Sequence, residues 1–271
     1  MIKLLNEPVV ALIYHGHYLH APFWDYKRKR KVPFYATLKQ ILTKEQIKNL
    51  SVEEINEIVH KELAYDEYLY QLENNIHITE KFRAEGLHKV LYKCTECGEE
   101  SMTSHDYFIN CPKCNSEWEL KTNGQLEKVG GGETKFTHVP SWFEWQREEI
   151  KREILSGKYL ITDSVDVYGF PHPKELIYLG AADFTHNKNG YSKKGHYNGQ
   201  DYSIEKAPLE NYGVYVEYDW EKLKEKNGKD LFSLSTLKDT FFFFPHTQKN
   251  IITKLSLATE ELYKMAKSKM K

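Results

Sequence analysis

The 271-residue chain has no cysteine beyond four, no apolar run near the length of a spanning helix, and a net charge of only −1. Each shortage excludes something. Without about 20 consecutive apolar residues there is no transmembrane helix, and no secretory signal follows Met1. A near-balanced charge argues against nucleic-acid binding through bulk charge. Four cysteines with none left over do not make a disulfide scaffold; they point to a reducing compartment, the cytoplasm. What is present is adequate for folding. Hydrophobic residues make up 40% and aromatics 14% of the chain, enough for about one to two domains with a real core.

The four cysteines form two knuckles, Cys94-Thr-Glu-Cys97 and Cys111-Pro-Lys-Cys114. Two Cys-x-x-Cys pairs at this separation match the spacing of a four-thiolate zinc site, since each tight turn offers two thiolates to one tetrahedral ion. Gly98 and Pro112 suit such turns. Iron accepts the same four thiolates, and a redox dithiol needs one pair alone. With every position taken by protein the ion is structural, and it fixes a ribbon too small to bury a core unaided. A metal so local predicts that chelation unfolds residues of about 90–120 and leaves the C-terminal part intact.

Before the knuckles, Met1–Glu7 reads as the last turn of a helix. Pro8–Tyr14 is a continuous apolar run, the pattern of a parallel strand covered on both faces, and Pro33–Ile41 is a second strand. Thr43 with Gln46, and Ser51 with Glu54, open two helices through capping boxes. A third helix spans about 66–73. Lys27-Arg28-Lys29-Arg30-Lys31 is the strongest charge run. It reads as a solvated loop, as a contact for an anionic membrane surface or phospholipid, or as a nucleic-acid patch.

Several of these stretches resemble one family. Asn6–Gly16, Tyr35–Ile41 and Leu42–Ile55 look like the C-terminal end of the lysophosphatidate (1-acylglycerol-3-phosphate) acyltransferase fold. Phe82–Tyr92, the double knuckle and His138–Arg147 resemble a bacterial subgroup that adds a zinc ribbon and a further C-terminal domain. The resemblance implies acyl transfer from a thioester to a glycerolipid hydroxyl, in phospholipid biosynthesis. It also implies that the catalytic His-x4-Asp and the glycerol-phosphate motif belong upstream of the Pro8–Tyr14 strand. The chain then corresponds to the C-terminal portion, inactive alone, whose partner is a missing N-terminal catalytic half; the alternative is a non-catalytic module of zinc ribbon and barrel that binds a lipid headgroup or a protein partner. One His-x4-Asp does occur after the strand, His20 to Asp25. Its spacing suits a general base and its orienter, but it falls on the wrong side of the fold. Its alternatives are a loop with incidental histidines and a second metal site of His15, His17 and His20.

Around the knuckles, Leu91–Lys93 and Glu117–Leu120 read as the flanking strands of the ribbon, with Trp118 packed over the metal. Glu99, Glu100 and Asp106 between the knuckles make phosphate tracking unfavourable. Val129–Gly132 is a joint. Ser141 with Glu144 caps a helix from Trp142 to Ser156, closed by Gly157. Thereafter short alternating strands follow: Tyr159–Tyr168, Glu175–Ala182, Gly190–Lys194, Asp201–Glu205, Val214–Tyr218, Asp230–Ser233 and Thr240–Phe244, with Asn-Gly turn signals. A strand-like Ile251–Leu255 leads into a final helix at Leu257–Lys267. Seven strands and one helix resemble a pleckstrin-homology-like barrel. The expected fold class is thus α+β multidomain. It comprises an acyltransferase-type α/β remnant (1–74), a zinc ribbon (75–140), a connecting helix (141–157) and a β-barrel with closing helix (158–271).

Overall fold

A computed structural model describes residues 1–172, 175–197, 199–220, 229–236, 239–248 and 250–270. The architecture is α+β with antiparallel sheets throughout.

The N-terminal part departs from the sequence reading. After a short helix α1 (Ile2–Leu5), strand β1 (Val9–His15) leads through helix α2 (His17–His20) and a loop to β2 (Tyr35–Leu42). Among the described residues β1 pairs only with β2, antiparallel, with Leu12 opposite Leu38 and Tyr14 opposite Ala36. It is not the parallel strand that its apolar run suggests. Alternation decides which side chains are covered. Ala11 is buried, whereas Val10, Leu12, Tyr14 and Leu38 project outward, Leu38 with 71% of its surface exposed. Helices α3 (Lys44–Asn49) and α4 (Val52–Leu63) follow, both with complete capping boxes, Thr43 with Gln46 and Ser51 with Glu54. Leu42, Ile47 and Ile55 form a small cluster beneath them. Helix α5 (Glu67–Glu73) is capped by Asp66.

The ribbon is a four-stranded antiparallel sheet of β3 (Thr103–His105), β4 (Phe108–Asn110), β5 (Glu117–Leu120) and β6 (Leu126–Lys128). Glu117–Leu120 is a strand as expected, but Leu91–Lys93 is not. That segment is held by side chains of helix α6 (Val139–Leu155) instead. Gln146, fully buried, accepts from Lys93 N at 2.9 Å and donates to the Val90 carbonyl at 2.8 Å, while Trp142 Nε1 donates to the Lys93 carbonyl at 2.9 Å. α6 also starts earlier than the Ser141 capping box implies. Pro140 pre-sets the first turn, and Ser141 Oγ turns to His138 Nδ1.

The C-terminal sheet has seven strands: β7 (Leu160–His172), β8 (Glu175–Asn187), β9 (Gly190–Tyr197), β10 (Gln200–Lys206), β11 (Tyr215–Trp220), β12 (Lys229–Ser235) and β13 (Thr240–Pro245). Their order is β10-β9-β8-β7-β13-β12-β11. Two meanders thus meet where β13 pairs with β7, Phe243 opposite Val167. The expected barrel does not close: among the described residues the outer strands β10 and β11 do not pair. Helix α7 (Ile251–Ser268) packs against the sheet on one side and against α6 on the other. The stretch Ile251–Leu255 belongs to this helix and is not a strand.

One hydrophobic cluster joins the ribbon, α6, α7 and the C-terminal sheet. It holds Met102, Ile109 and Trp118 of the ribbon, Trp142 and Ile150 of α6, Leu255, Ala258 and Leu262 of α7, and Val165, Phe232 and Phe243 of the sheet. Polar ties cross the same boundary. Lys254 of α7 bridges Glu100 of the ribbon and Glu153 of α6, at 2.9 Å each. The Tyr218 hydroxyl bonds Thr253 Oγ1, which donates to the Lys89 carbonyl. Arg147 of α6 reaches Glu260 of α7 at 2.6 Å.

Candidate metal centre

The two knuckles meet. The ligating atoms of Cys94, Cys97, Cys111 and Cys114 all lie within 4.8 Å of one another, and no other cluster of three or more ligating side chains occurs among the described residues. Cys94 Sγ is 3.7 Å from Cys114 Sγ, and Cys97 Sγ is 3.6 Å from Cys111 Sγ. A tetrahedral ion with thiolates at about 2.3 Å needs sulfur separations of roughly 3.8 Å. The four side chains could therefore hold a metal ion with little rearrangement.

Local backbone chemistry explains the geometry. Each knuckle closes on a residue of positive φ directly after its second cysteine, Gly98 at 75° and Asn115 at 60°. Only glycine, and secondarily asparagine, adopts this conformation cheaply. Glycine follows the first knuckle visibly; asparagine in the equivalent place is the signal that sequence reading passes over. The turns are locked by Gly98 N donating to the Cys94 carbonyl at 3.0 Å and Asn115 N to the Cys111 carbonyl at 2.9 Å. Cys94 and Cys111 are buried; Cys97 and Cys114 are exposed. Burial pushes the Cys94 and Cys111 thiols up. The Ser116 hydroxyl beside Cys114 pulls that thiol down to about 6. Trp118, which shares the core cluster with Cys94 and Cys111, meets Trp142 edge-on at 4.9 Å. Gln146 and Trp142 therefore fix the lead into the first knuckle from a helix some fifty residues away in sequence, which no local pattern reveals.

The other residues singled out by the sequence take these positions. His20 and Asp25 share no hydrogen bond among the described residues. Asp25 is buried and binds Arg28 Nε at 2.9 Å and Arg30 Nη2 at 3.5 Å. Burial raises its pKa against the pull of Arg28. The His20 ring lies 4.9 Å from the Phe34 ring. His15 bonds Thr37 and stacks on Tyr35, and His15, His17 and His20 are not gathered into a ligand set. The basic run is split. Arg30 is buried, donates to the Arg83 carbonyl at 3.0 Å and sits over the Phe82 ring, whereas Lys27, Arg28, Lys29 and Lys31 are exposed. A cavity of about 430 Å³ opens between His88–Lys89, the β11 and β12 residues Asp219 and Asp230, and the start of α7. Charges in it pair with each other, Lys89 with Asp219 at 2.6 Å and Asp230 at 3.5 Å.

No helix among the described residues is long and apolar enough to cross a membrane. Comparison with known proteins finds no family model, no curated protein and no solved structure that matches the chain.

Proposed function

We propose that the chain is a non-catalytic recognition module with a structural zinc ion, akin to the C-terminal portion of lysophosphatidate acyltransferase-like proteins. The observation that carries this reading is the state of its reactive groups. The His20–Asp25 pair is not assembled, because Asp25 is committed to Arg28 and Arg30. The one ligand cluster among the described residues is a four-thiolate set, which leaves a metal no open position. Zinc fits it best, because four thiolates on a closed tetrahedron suit that ion and the ribbon needs a staple rather than a redox centre. Seven antiparallel strands followed by one helix support a pleckstrin-homology-like unit in an open form.

The test is an acyl-transfer assay with the purified chain, an acyl thioester and lysophosphatidate, beside metal analysis. The expected result is no turnover and one zinc ion per chain. Turnover that His20→Ala abolishes would overturn the reading, and one iron ion per chain would overturn the metal assignment.

A second reading has one observation of its own. β1 and β2 have only each other as partners among the described residues, and both present apolar side chains outward. Strands of that composition suit the interior of a larger sheet. On this reading the chain completes an acyltransferase-type α/β unit and serves an enzyme as its C-terminal part. The intact mass of the protein from its own cells decides. A mass well above 32.0 kDa supports the second reading and a mass equal to it removes it.

A further inference from the structure

The C-terminal sheet buries one lysine among aromatic rings. Lys193 of β9 shares its face of the strand with buried Tyr191, because alternate residues point the same way. Lys193 is 1% exposed. Its Nζ lies 3.9 Å from the ring centre of Tyr202 in β10 and 5.5 Å from those of Phe241 and Phe243 in β13. Neither this Nζ nor the Tyr202 hydroxyl, also buried, has a hydrogen-bond partner among the described residues. Ring faces attract an ammonium by about 0.5–2 kcal/mol, which does not offset the several kcal/mol that an unpaired buried charge costs. Burial alone acts on the amine, with no charged group near enough to oppose it, and lowers its pKa to about 7. A large fraction of Lys193 is thus free base at a pH where exposed lysines are ammonium ions.

The edge of the sheet sets access to it. β10 is an outer strand, and its residues alternate between exposed and half-buried. Half-buried Tyr202 covers Nζ from that side. The hydroxyl end of its ring lies across Gly195, where a Cβ would come within 2.8 Å of it. Glycine at 195 therefore keeps the place in which the ring lies. Segments with few buried contacts open locally at lower free energy than the core, so β10 is the way in.

The two polar groups narrow the ligand. A carboxylate brings two oxygens and about four acceptor positions. One amine and one phenol among rings cannot satisfy those, and a buried anion left short of partners is costly. A single carbonyl oxygen, with two lone pairs, matches two donors. A desolvated lysine is also a nucleophile toward a carbonyl carbon.

We propose that Lys193 is a covalent capture site for small uncharged aldehydes, which its Nζ takes up as an imine beside the Tyr202 hydroxyl. The Nζ lone pair forms a bond to the carbonyl carbon, and a proton passing from nitrogen to oxygen gives a carbinolamine. The carbon–oxygen bond then breaks. The Tyr202 hydroxyl gives its proton to the leaving oxygen, water departs, and the nitrogen lone pair closes the C=N bond. The nitrogen returns a proton to the phenolate. Amine and aldehyde become imine and one water, with no change of oxidation state. This capture goes beyond the recognition-module reading and does not depend on it.

The test is reductive trapping on the full chain with butanal and sodium cyanoborohydride at pH 7, read by peptide mass mapping. Lys194, next in sequence and exposed, is the internal reference. The free-base fraction of Lys193 at pH 7 exceeds that of an ordinary lysine by roughly 1,000-fold. Slow entry reduces that advantage, and Lys193 should still be alkylated at least roughly tenfold faster than Lys194. In urea the two rates should agree. Tyr202→Phe keeps the ring and removes the hydroxyl; it should slow Lys193 at least roughly tenfold and leave Lys194 unchanged, a split that loss of fold does not produce. Lys193→Met should remove the fast site from a folded chain. Labelling of Lys193 no faster than Lys194 in the folded chain overturns the proposal, and a Tyr202→Phe rate equal to that of the unaltered chain overturns the part given to the hydroxyl. Either failure leaves the acyl-transfer and metal results, and hence the non-catalytic reading, as they stand.

Discussion

Residues 1–66 and residues 84–262 hold their strands in opposite ways. The first region has a two-stranded sheet with one side open to solvent and a cluster of Leu42, Ile47 and Ile55 under its helices. The second shares one core from the ribbon to the last helix, to which only Trp24 of the first 66 residues contributes. Similar strand chemistry therefore has different consequences. An outward leucine on β2 is available for contact, whereas a tryptophan on α6 has no surface to give. Two-stranded units are marginal alone, so the first region relies on helices and on the loop that Arg30 ties to Arg83. The second rests on a four-cysteine cluster that could hold a metal ion and on α7 packed from both sides.

Removal of the metal should have the largest effect and is the sharpest way to break this comparison. A metal confined to the ribbon would leave the C-terminal sheet untouched on chelation. The shared core leads to a different expectation: hydrogen exchange should accelerate in β3–β6, α6, α7 and β7 together, while α3 and α4 keep their protection. Cys94→Ser should act in the same direction. Trp142→Ala comes next, at about 3–5 kcal/mol by chemical denaturation, because it opens a cavity and orphans the Lys93 carbonyl.

Stability should also rise with pH through one buried lysine. Lys193 is 1% exposed, makes no hydrogen bond through Nζ, and lies over the rings of Tyr202, Phe241 and Phe243. Burial lowers its pKa to about 7. The unfolded chain therefore binds more protons between about pH 7 and the ordinary lysine value of about 10.4, and stability grows across that window and falls as pH drops toward 7. Lys193→Met should flatten this slope and stabilise the protein at pH 7 by about 2 kcal/mol, read from denaturation midpoints. At the small end, Leu38→Gln should change stability by less than about 0.5 kcal/mol. A larger loss would mean that the open side of β1–β2 is covered, and the contrast between the regions would fail.

Much of this was legible in the chain, and the misses share a cause. The knuckles, the Thr43 and Ser51 capping boxes and the seven C-terminal strands are written in local spacing, and the structure places them where that spacing puts them, whereas the Ser141–Glu144 box is not formed. Ile251–Leu255 misled because β-branched residues favour strands. Pro8–Tyr14 misled in the opposite sense, because a run without alternation hides which residues will be left outside. The burial of Arg30 had no local sign, since its partners include the carbonyl of Arg83 far along the chain. Gln146 was missed for the same reason.

The position of α7 has a consequence for how the sequence can drift. Thr253 bonds Tyr218 of the sheet and the Lys89 carbonyl beside the ribbon at once, and Leu255 and Ala258 are wholly enclosed. A substitution there must suit two neighbours together, so compensating changes have to arrive in pairs on opposite sides of the helix. The open strand β2 answers to no such double constraint. Accepted change should therefore accumulate at Leu38 and Gln40 long before it is tolerated at Thr253.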